Sequence, residues 1–306
     1  MAKKKQPTFA RVENKAMQAM RGQIHDIRMK TLNSLSGGAT SSFMATRYPA
    51  DYDVFALVCI DYEPARPKDA LLVQMVNDKL KKHSLNKSEF IATAEDVKTL
   101  KVVFDLEQMI GREIAWVRGE SFDQMIARKK CIPNMAKRIC TSWLKIKPIE
   151  DFVLNTVKEP VLMRQGIRMD EAERQKKGWA QIYLASIDVE GKNGKQRKEK
   201  IGWAVSDYPM IEDRIFYPAI KAFKETCGLV FPEDSNCNHC FWKDPRQIRK
   251  NAETNRAVIE WAASMESKMN RWWKEGMSMK AILDMGLQLD FQFGGGPSCQ
   301  SGFCSD

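Results

Sequence analysis

The sequence has no apolar stretch approaching the roughly 18 residues of a membrane span, and its basic start, MAKKK, runs into polar sequence without a signal-peptide core. These absences predict a cytoplasmic chain with no membrane partner. No internal repeat and no low-complexity tract is visible, which excludes solenoids and linker-like arrays. Histidine is scarce, with three in 306 residues. His25 and His83 lie in polar helical surroundings and are expected to face solvent, and His239 reads as a loop residue. The two basic segments, residues 1–30 and 192–200 (KNGKQRKEK), contain no aromatic interleaving of the kind that stacks bases.

What the chain does have is charge, cysteine and one glycine-rich turn. A net charge of +10 favours a polyanionic partner or an anionic substrate, and the basic arm and hairpin are where a nucleic acid would be met. Eight cysteines in a reducing compartment argue against a disulfide framework, so clustered thiols point to metal or thiol chemistry.

The turn is Ser36-Gly37-Gly38-Ala39-Thr40-Ser41, entered from a β-prone segment at 31–35 and followed by the apolar Phe43-Met44-Ala45. Glycines let a backbone turn tightly and present several N–H groups to one anion, and a helix starting at once adds its positive end. Ser36, Thr40 and Ser41 add hydroxyls to this phosphate cradle. The next apolar run, residues 53–60 (DVFALVCI), reads as a buried strand ending at Asp61, which is expected among the nucleotide-binding residues. Strand, glycine turn, helix and strand open a doubly wound α/β sheet, which binds ligands at the carboxyl ends of its strands.

Periodicity predicts helices over residues 12–30, 67–82, 94–109, 121–130, 136–155, 214–227, 251–271 and 279–285. Strands are expected at 89–93, 112–117 and 161–164, with an antiparallel excursion, 181–189 and 200–205, about the turn 191–194. Three regions follow: a helical arm (1–30), a nucleotide-binding domain (31–245), and a helical extension with a cysteine-bearing tail (246–306).

Cys237-Asn238-His239-Cys240 has the gap that lets two thiolates meet one metal or cluster from a tight turn; a redox dithiol and buried small hydrophobes fit the spacing too. Three stretches then act together: Ser36–Ser42 (SGGATSS), Arg138–Ile149 (RICTSWLKIKPI) and Gly166–Arg174 (GIRMDEAER). They resemble the phosphoadenosine phosphosulfate reductase family of the PP-loop superfamily, over roughly residues 31–245. The resemblance implies an adenine nucleotide alpha hydrolase-like α/β fold, with nucleotide phosphates at Ser36, Gly37, Gly38 and Ser41. Pyrophosphatase members carry Asp where this chain has Thr40, which tilts the match toward the reductase branch. The family's Cys-Thr-x-x-Leu-Lys-x-x-Pro stretch falls on Cys140, Thr141, Leu144, Lys145 and Pro148. Its Gly-x-Arg-x-x-Glu-x-x-Arg stretch falls on Gly166, Arg168, Glu171 and Arg174. Lys145, Arg168 and Arg174 are the cations that sulfate and phosphate recognition would need.

Iron-sulfur members hold a 4Fe-4S cluster, which here implies Cys140, Cys237 and Cys240, with Cys227 as the fourth ligand and Cys131 as the runner-up. Zinc on the same thiolates is the alternative, because four cysteines do not distinguish the two. Reductases attack sulfur with a cysteine on a mobile C-terminal tail. Cys304 takes that place, although no histidine follows it, and Cys299 lies on the same tail.

The resemblance implies thiol attack on a nucleotide-bound sulfate, releasing sulfite with a thioredoxin-like reductant. Two alternatives stay open. One is splitting of ATP at the α-phosphate, with Mg, to insert sulfur into nucleic acid; the other is a non-catalytic nucleotide- or nucleic-acid-binding module. The substrate is accordingly ATP, adenylyl sulfate or its 3′-phosphorylated form, and a homo-oligomer is compatible with the sequence.

Overall fold

A computed structural model describes residues 29–174, 181–190 and 196–286. Residues 1–28 of the expected arm, with His25, the expected turn 191–194, and the tail with Cys299 and Cys304 lie outside the described residues.

The strand β1 (Lys30–Leu35) delivers the chain to the glycine turn, and α1 (Ala39–Arg47) begins directly after it. Next come β2 (Tyr52–Ala56), β3 (Cys59–Ile60), α2 (Ala70–His83), β4 (Ala92–Thr93), α3 (Val97–Ile110), β5 (Ile114–Val117) and α4 (Phe122–Lys129). The helix α5 (Lys147–Phe152) is flanked by π-helical turns at Thr141–Ile146 and Val153–Val157. The chain continues through β6 (Val161–Arg164), β7 (Ile182–Glu190) and β8 (Gln196–Asp207) to α6 (Pro209–Glu212), α7 (Tyr217–Thr226), α8 (Pro245–Met269) and α9 (Met279–Asp284).

Six strands form one sheet in the order β5-β2-β1-β6-β8-β7. All pairings are parallel except β7 with β8, so the expected doubly wound α/β sheet with an antiparallel excursion is what the chain builds. Parallel strands need helical crossovers, and these cover the two faces. On one face α1, α2 and α3 pack over β1, β2 and β5 around Phe55, Phe104 and Trp116. Trp116 stacks on Phe104 at 4.6 Å and meets Phe55 edge-on at 4.9 Å. On the other face Ile149, Phe152 and Val153 pack against Leu32, Met163 and Trp203. A third cluster joins β3, β4, α4, α8 and α9 around Trp261 and Trp273.

Four expectations are corrected. The apolar run 53–60 is not one strand: β2 stops at Ala56, and Cys59–Ile60 instead pairs antiparallel with Ala92–Thr93. The helix expected over 136–155 starts later, and its first turn is π-helical, with Lys147 N–H bonded to Ser142 C=O. Pro148 explains this, because a proline lacks the N–H and crowds the preceding turn, which opens to a wider ring. The helix expected over 214–227 begins only at Tyr217, since Arg214 sits at φ +51 and Pro218 occupies the first helical turn. The long helix starts at Pro245, where the Asp244 carboxylate accepts the Arg246 N–H. It breaks at Asn255 (φ −127), whose amide donates to Asp96 at 3.3 Å.

Candidate functional site

The turn after β1 is shaped by steric exclusion as much as by conformational freedom. Gly37 sits at φ +69, and a Cβ there would lie 2.5 Å from Thr99 Cγ2 and 3.2 Å from the Thr99 carbonyl. Gly38 has an ordinary φ of −92, yet its Cβ would fall 2.6 Å from Ser235 Oγ. Both glycines therefore hold the loop against neighbours that leave no side-chain room.

Ser41 closes the loop on itself. Its hydroxyl accepts the Ser36 N–H at 3.2 Å, donates to the Gly38 carbonyl at 3.0 Å and lies 3.1 Å from the Ser36 hydroxyl. No side chain caps α1, so the first-turn N–H groups and the positive end of the helix dipole are left for a ligand.

Two of the three sequence stretches meet at this loop. Gly166 packs so that a Cβ would stand 3.4 Å from the Ser41 backbone. Arg168, on the same segment, donates from Nη1 to the Thr40 hydroxyl at 3.3 Å. Its guanidinium also pairs with Asp170 at 3.1 Å and Glu171 at 3.2 Å, and lies 5.3 Å from the Tyr217 ring centroid. Arg174 shares Glu171 with it, at 2.7 Å.

The third stretch reaches the loop through residues 94–99. Lys145 pairs with Glu95 at 2.9 Å, and Glu95 is completely buried. Burial pushes the Glu95 carboxyl up, against the pull of Lys145. Burial would lower the Lys145 ammonium, but Glu95 and then Cys237 outweigh it, so Lys145 stays charged above its ordinary range. Four residues after Glu95, Thr99 forms the wall against Gly37.

The expected cations are thus not free. Lys145, Arg168 and Arg174 meet Glu95, Asp170 and Glu171, three positive groups against three negative ones. An anion would be held first by the N–H groups of the loop and α1. The paired cations would supply no surplus of charge to it.

The thiols are divided. Cys140 and Cys237 pack against the Trp261 cluster, and both lie near Lys145. Cys240 follows Cys237 in a turn closed by its own N–H on the Cys237 carbonyl, 3.0 Å. Burial raises Cys237 well above the ordinary thiol range, with Glu95 adding to it, and burial raises Cys140 as well. Cys227 ends α7, a helix that packs against α1 and belongs to the Phe55 cluster through Ile220. Cys131 precedes Ile132, a member of the Trp261 cluster. Among the described residues no three His, Cys, Asp or Glu side chains form a group that could hold a metal ion. Of the four thiols expected to share a cluster, Cys140 and Cys240 lie close enough to Cys237 to act on it, and no such effect of Cys227 is seen; none of the chemistry below passes through a cluster.

Three further expectations change. Asp61 is engaged at the start of α4, where its carboxylate accepts the Ser121 hydroxyl at 2.5 Å and its N–H bonds Asp123. His239 lies in a turn, as expected, yet it is 1 % exposed, boxed by Phe122, Trp261 and Trp273, and burial lowers its pKa to about 3. His83 is half-buried beside Glu113 at 3.1 Å. Cys59 is buried as expected, its thiol pushed up to about 12 by burial. The sequence reading missed Glu95, Thr99 and Ser235, none of which belongs to a spaced motif.

No protein-family model matches the chain, and no curated protein matches it. The chain is similar to a phosphoadenylyl-sulfate (PAPS) reductase from Candida auris, crystallised as a phosphate complex. The two share 10 % identity at a TM-score of 0.35, over 71 % of this chain and 82 % of that one. No helix among the described residues is long and apolar enough to cross a membrane.

Proposed function

We propose that this chain is an adenine-nucleotide enzyme of sulfur chemistry. The observation that carries the reading is the loop 36–41, whose two glycines are walled by Thr99 and Ser235 and whose Thr40 hydroxyl meets Arg168 at the uncapped start of α1. Loop N–H groups and the helix dipole would bind the nucleotide phosphate. Arg168 would orient it through Thr40, with Lys145 and Arg174 on the flanks of the site.

In the reductive form, which the sequence resemblance favours, a thiolate attacks the sulfur of an adenylyl sulfate. The new S–S bond forms as the sulfur–oxygen bond to the nucleotide breaks, and the nucleotide leaves with its phosphate oxygen. A dithiol reductant of the thioredoxin kind then takes the thiol-bound sulfonate off as sulfite, supplying two electrons and ending as a disulfide. Cys304 is the proposed nucleophile.

A second reading, ATP splitting for sulfur insertion into nucleic acid, is favoured by a surface beside the free edge of β5. There Arg128 and Lys129 lie 4.2 and 4.1 Å from the Trp143 ring centroid. Arg128 and Trp143 border a cavity of about 400 Å³ that Arg118, Lys147 and Pro148 also line. Cations around an aromatic suit a single nucleic-acid strand.

Incubation with adenylyl sulfate plus a dithiol, and separately with ATP, separates the two. Sulfite is expected from the first, and Cys304→Ala should abolish it while nucleotide binding remains. Pyrophosphate from ATP without sulfite would replace the first reading by the second. Neither product, with nucleotide still bound, would mark a binding module.

A further inference from the structure

The segment Asp234-Ser235-Asn236 comes to the phosphate loop from outside every motif. It is held from below by Lys243, 1 % exposed, which pairs with Asp234 at 2.8 Å and donates to the Asn236 carbonyl at 3.3 Å. The Asn238 N–H bonds the Ala94 carbonyl at 2.8 Å, which ties the same segment to residues 94–99, the other wall of the loop. A buried ion pair and a backbone tie on either side leave Ser235 little freedom to drift.

Between these anchors Ser235 presses on Gly38, its hydroxyl 2.6 Å and its Cβ 3.0 Å from where a Gly38 Cβ would be. The Ser235 hydroxyl makes no hydrogen bond among the described residues, and it is not among the polar atoms sealed from solvent. A held hydroxyl with nothing to bond, at the glycine that opens an uncapped helix, is placed to donate to whatever that helix end binds.

We infer that Ser235 is a phosphate-binding residue, which donates its hydroxyl to the anion in the loop 36–41 and makes Asp234–Cys240 the outer wall of the cradle. The inference rests on the reading of that loop as a nucleotide-phosphate site. Gly38 is then glycine to admit this hydroxyl, since its own backbone angles would suit any residue. Cys237 lies two positions further on, so the thiol-bearing turn and the cradle share one rigid segment.

The test is calorimetric binding of ATP and of adenylyl sulfate, with melting curves as the check on folding. Ser235→Ala is expected to weaken the nucleotide that binds by about tenfold, the scale of a hydroxyl bond to a charged oxygen, with its melting temperature unchanged. Gly38→Ala should cost a similar factor in the wild-type background, because the new methyl displaces Ser235. In a Ser235→Gly background, where that contact is gone, the same change should cost less than about twofold.

Unchanged affinity in Ser235→Ala, beside a wild type that binds, would overturn the inference and leave the cradle standing. Equal losses from Gly38→Ala in both backgrounds would do the same. A wild-type protein that binds neither nucleotide would remove the cradle and this inference together.

Discussion

Removing Lys145 should unfold this protein more readily, which is unusual for a residue placed at a binding site. Glu95 has a side chain with no exposure at all; one oxygen accepts Lys145, and the other, Oε2, is buried without a partner. Breaking a buried ion pair from one side costs roughly 3–5 kcal/mol, because the remaining charge stays desolvated and uncompensated. Two features reduce that figure here. Lys145 is 31 % exposed, and buried Lys243 also acts on the Glu95 charge. A loss of about 2–3 kcal/mol is therefore expected for Lys145→Met in urea unfolding followed by tryptophan fluorescence. Adding Glu95→Gln removes the stranded charge, so the double variant should regain most of the loss and lie within about 1 kcal/mol of wild type. A single variant as stable as wild type would refute the reasoning, as would a double variant no better than the single. Either result would mean that Glu95 is neutral or solvated in the folded protein, and that Lys145 is free to serve a ligand.

Gly37→Ala combines a left-handed backbone with a methyl 2.5 Å from Thr99 Cγ2, and should cost about 2–4 kcal/mol of stability. Thr99→Ser, which deletes that methyl, should recover part of the loss, and an unshifted urea midpoint for Gly37→Ala would contradict the clash. Arg168→Lys should weaken nucleotide binding by about tenfold, since an ammonium cannot span Thr40, Asp170 and Glu171 together; equal affinity by calorimetry would place the nucleotide elsewhere. Burial first, and then the hydrogen bond to Asp213 at 2.7 Å, raise the Tyr48 pKa to about 12. The folded state thus holds a proton that the unfolded chain releases near pH 10, so Tyr48 adds stability below that pH and the gain fades as pH rises toward 12. Ultraviolet titration of wild type against Tyr48→Phe should show one late-ionising tyrosine missing from the variant, and titration of that tyrosine near pH 10 would remove the effect.

Much of the architecture was legible because it follows from short-range rules. The strand at 161–164 and the amphipathic helix near 97–110 declare themselves by periodicity, and the glycine turn by residues that few other structures need. Errors came where a distant segment decided the matter. The run 54–60 is uniformly apolar, and only the arrival of Ala92–Thr93 breaks it into strands of different sheets. His239 sits in a polar tetrapeptide, and nothing local shows that Trp261 and Trp273 will close over it.

The sequence by itself determined the glycine loop. Tight turning and an immediate helix start are properties of adjacent residues, so Ser36–Ser41 could be read without any partner. The tertiary structure alone decided how that loop is charged and enclosed. Pairing of Lys145, Arg168 and Arg174 with carboxylates, the wall of Thr99 behind Gly37, and the hydroxyl of Ser235 against Gly38 all join residues distant along the chain. Such contacts depend on where packed elements bring side chains together, and no spacing in a linear sequence encodes that distance.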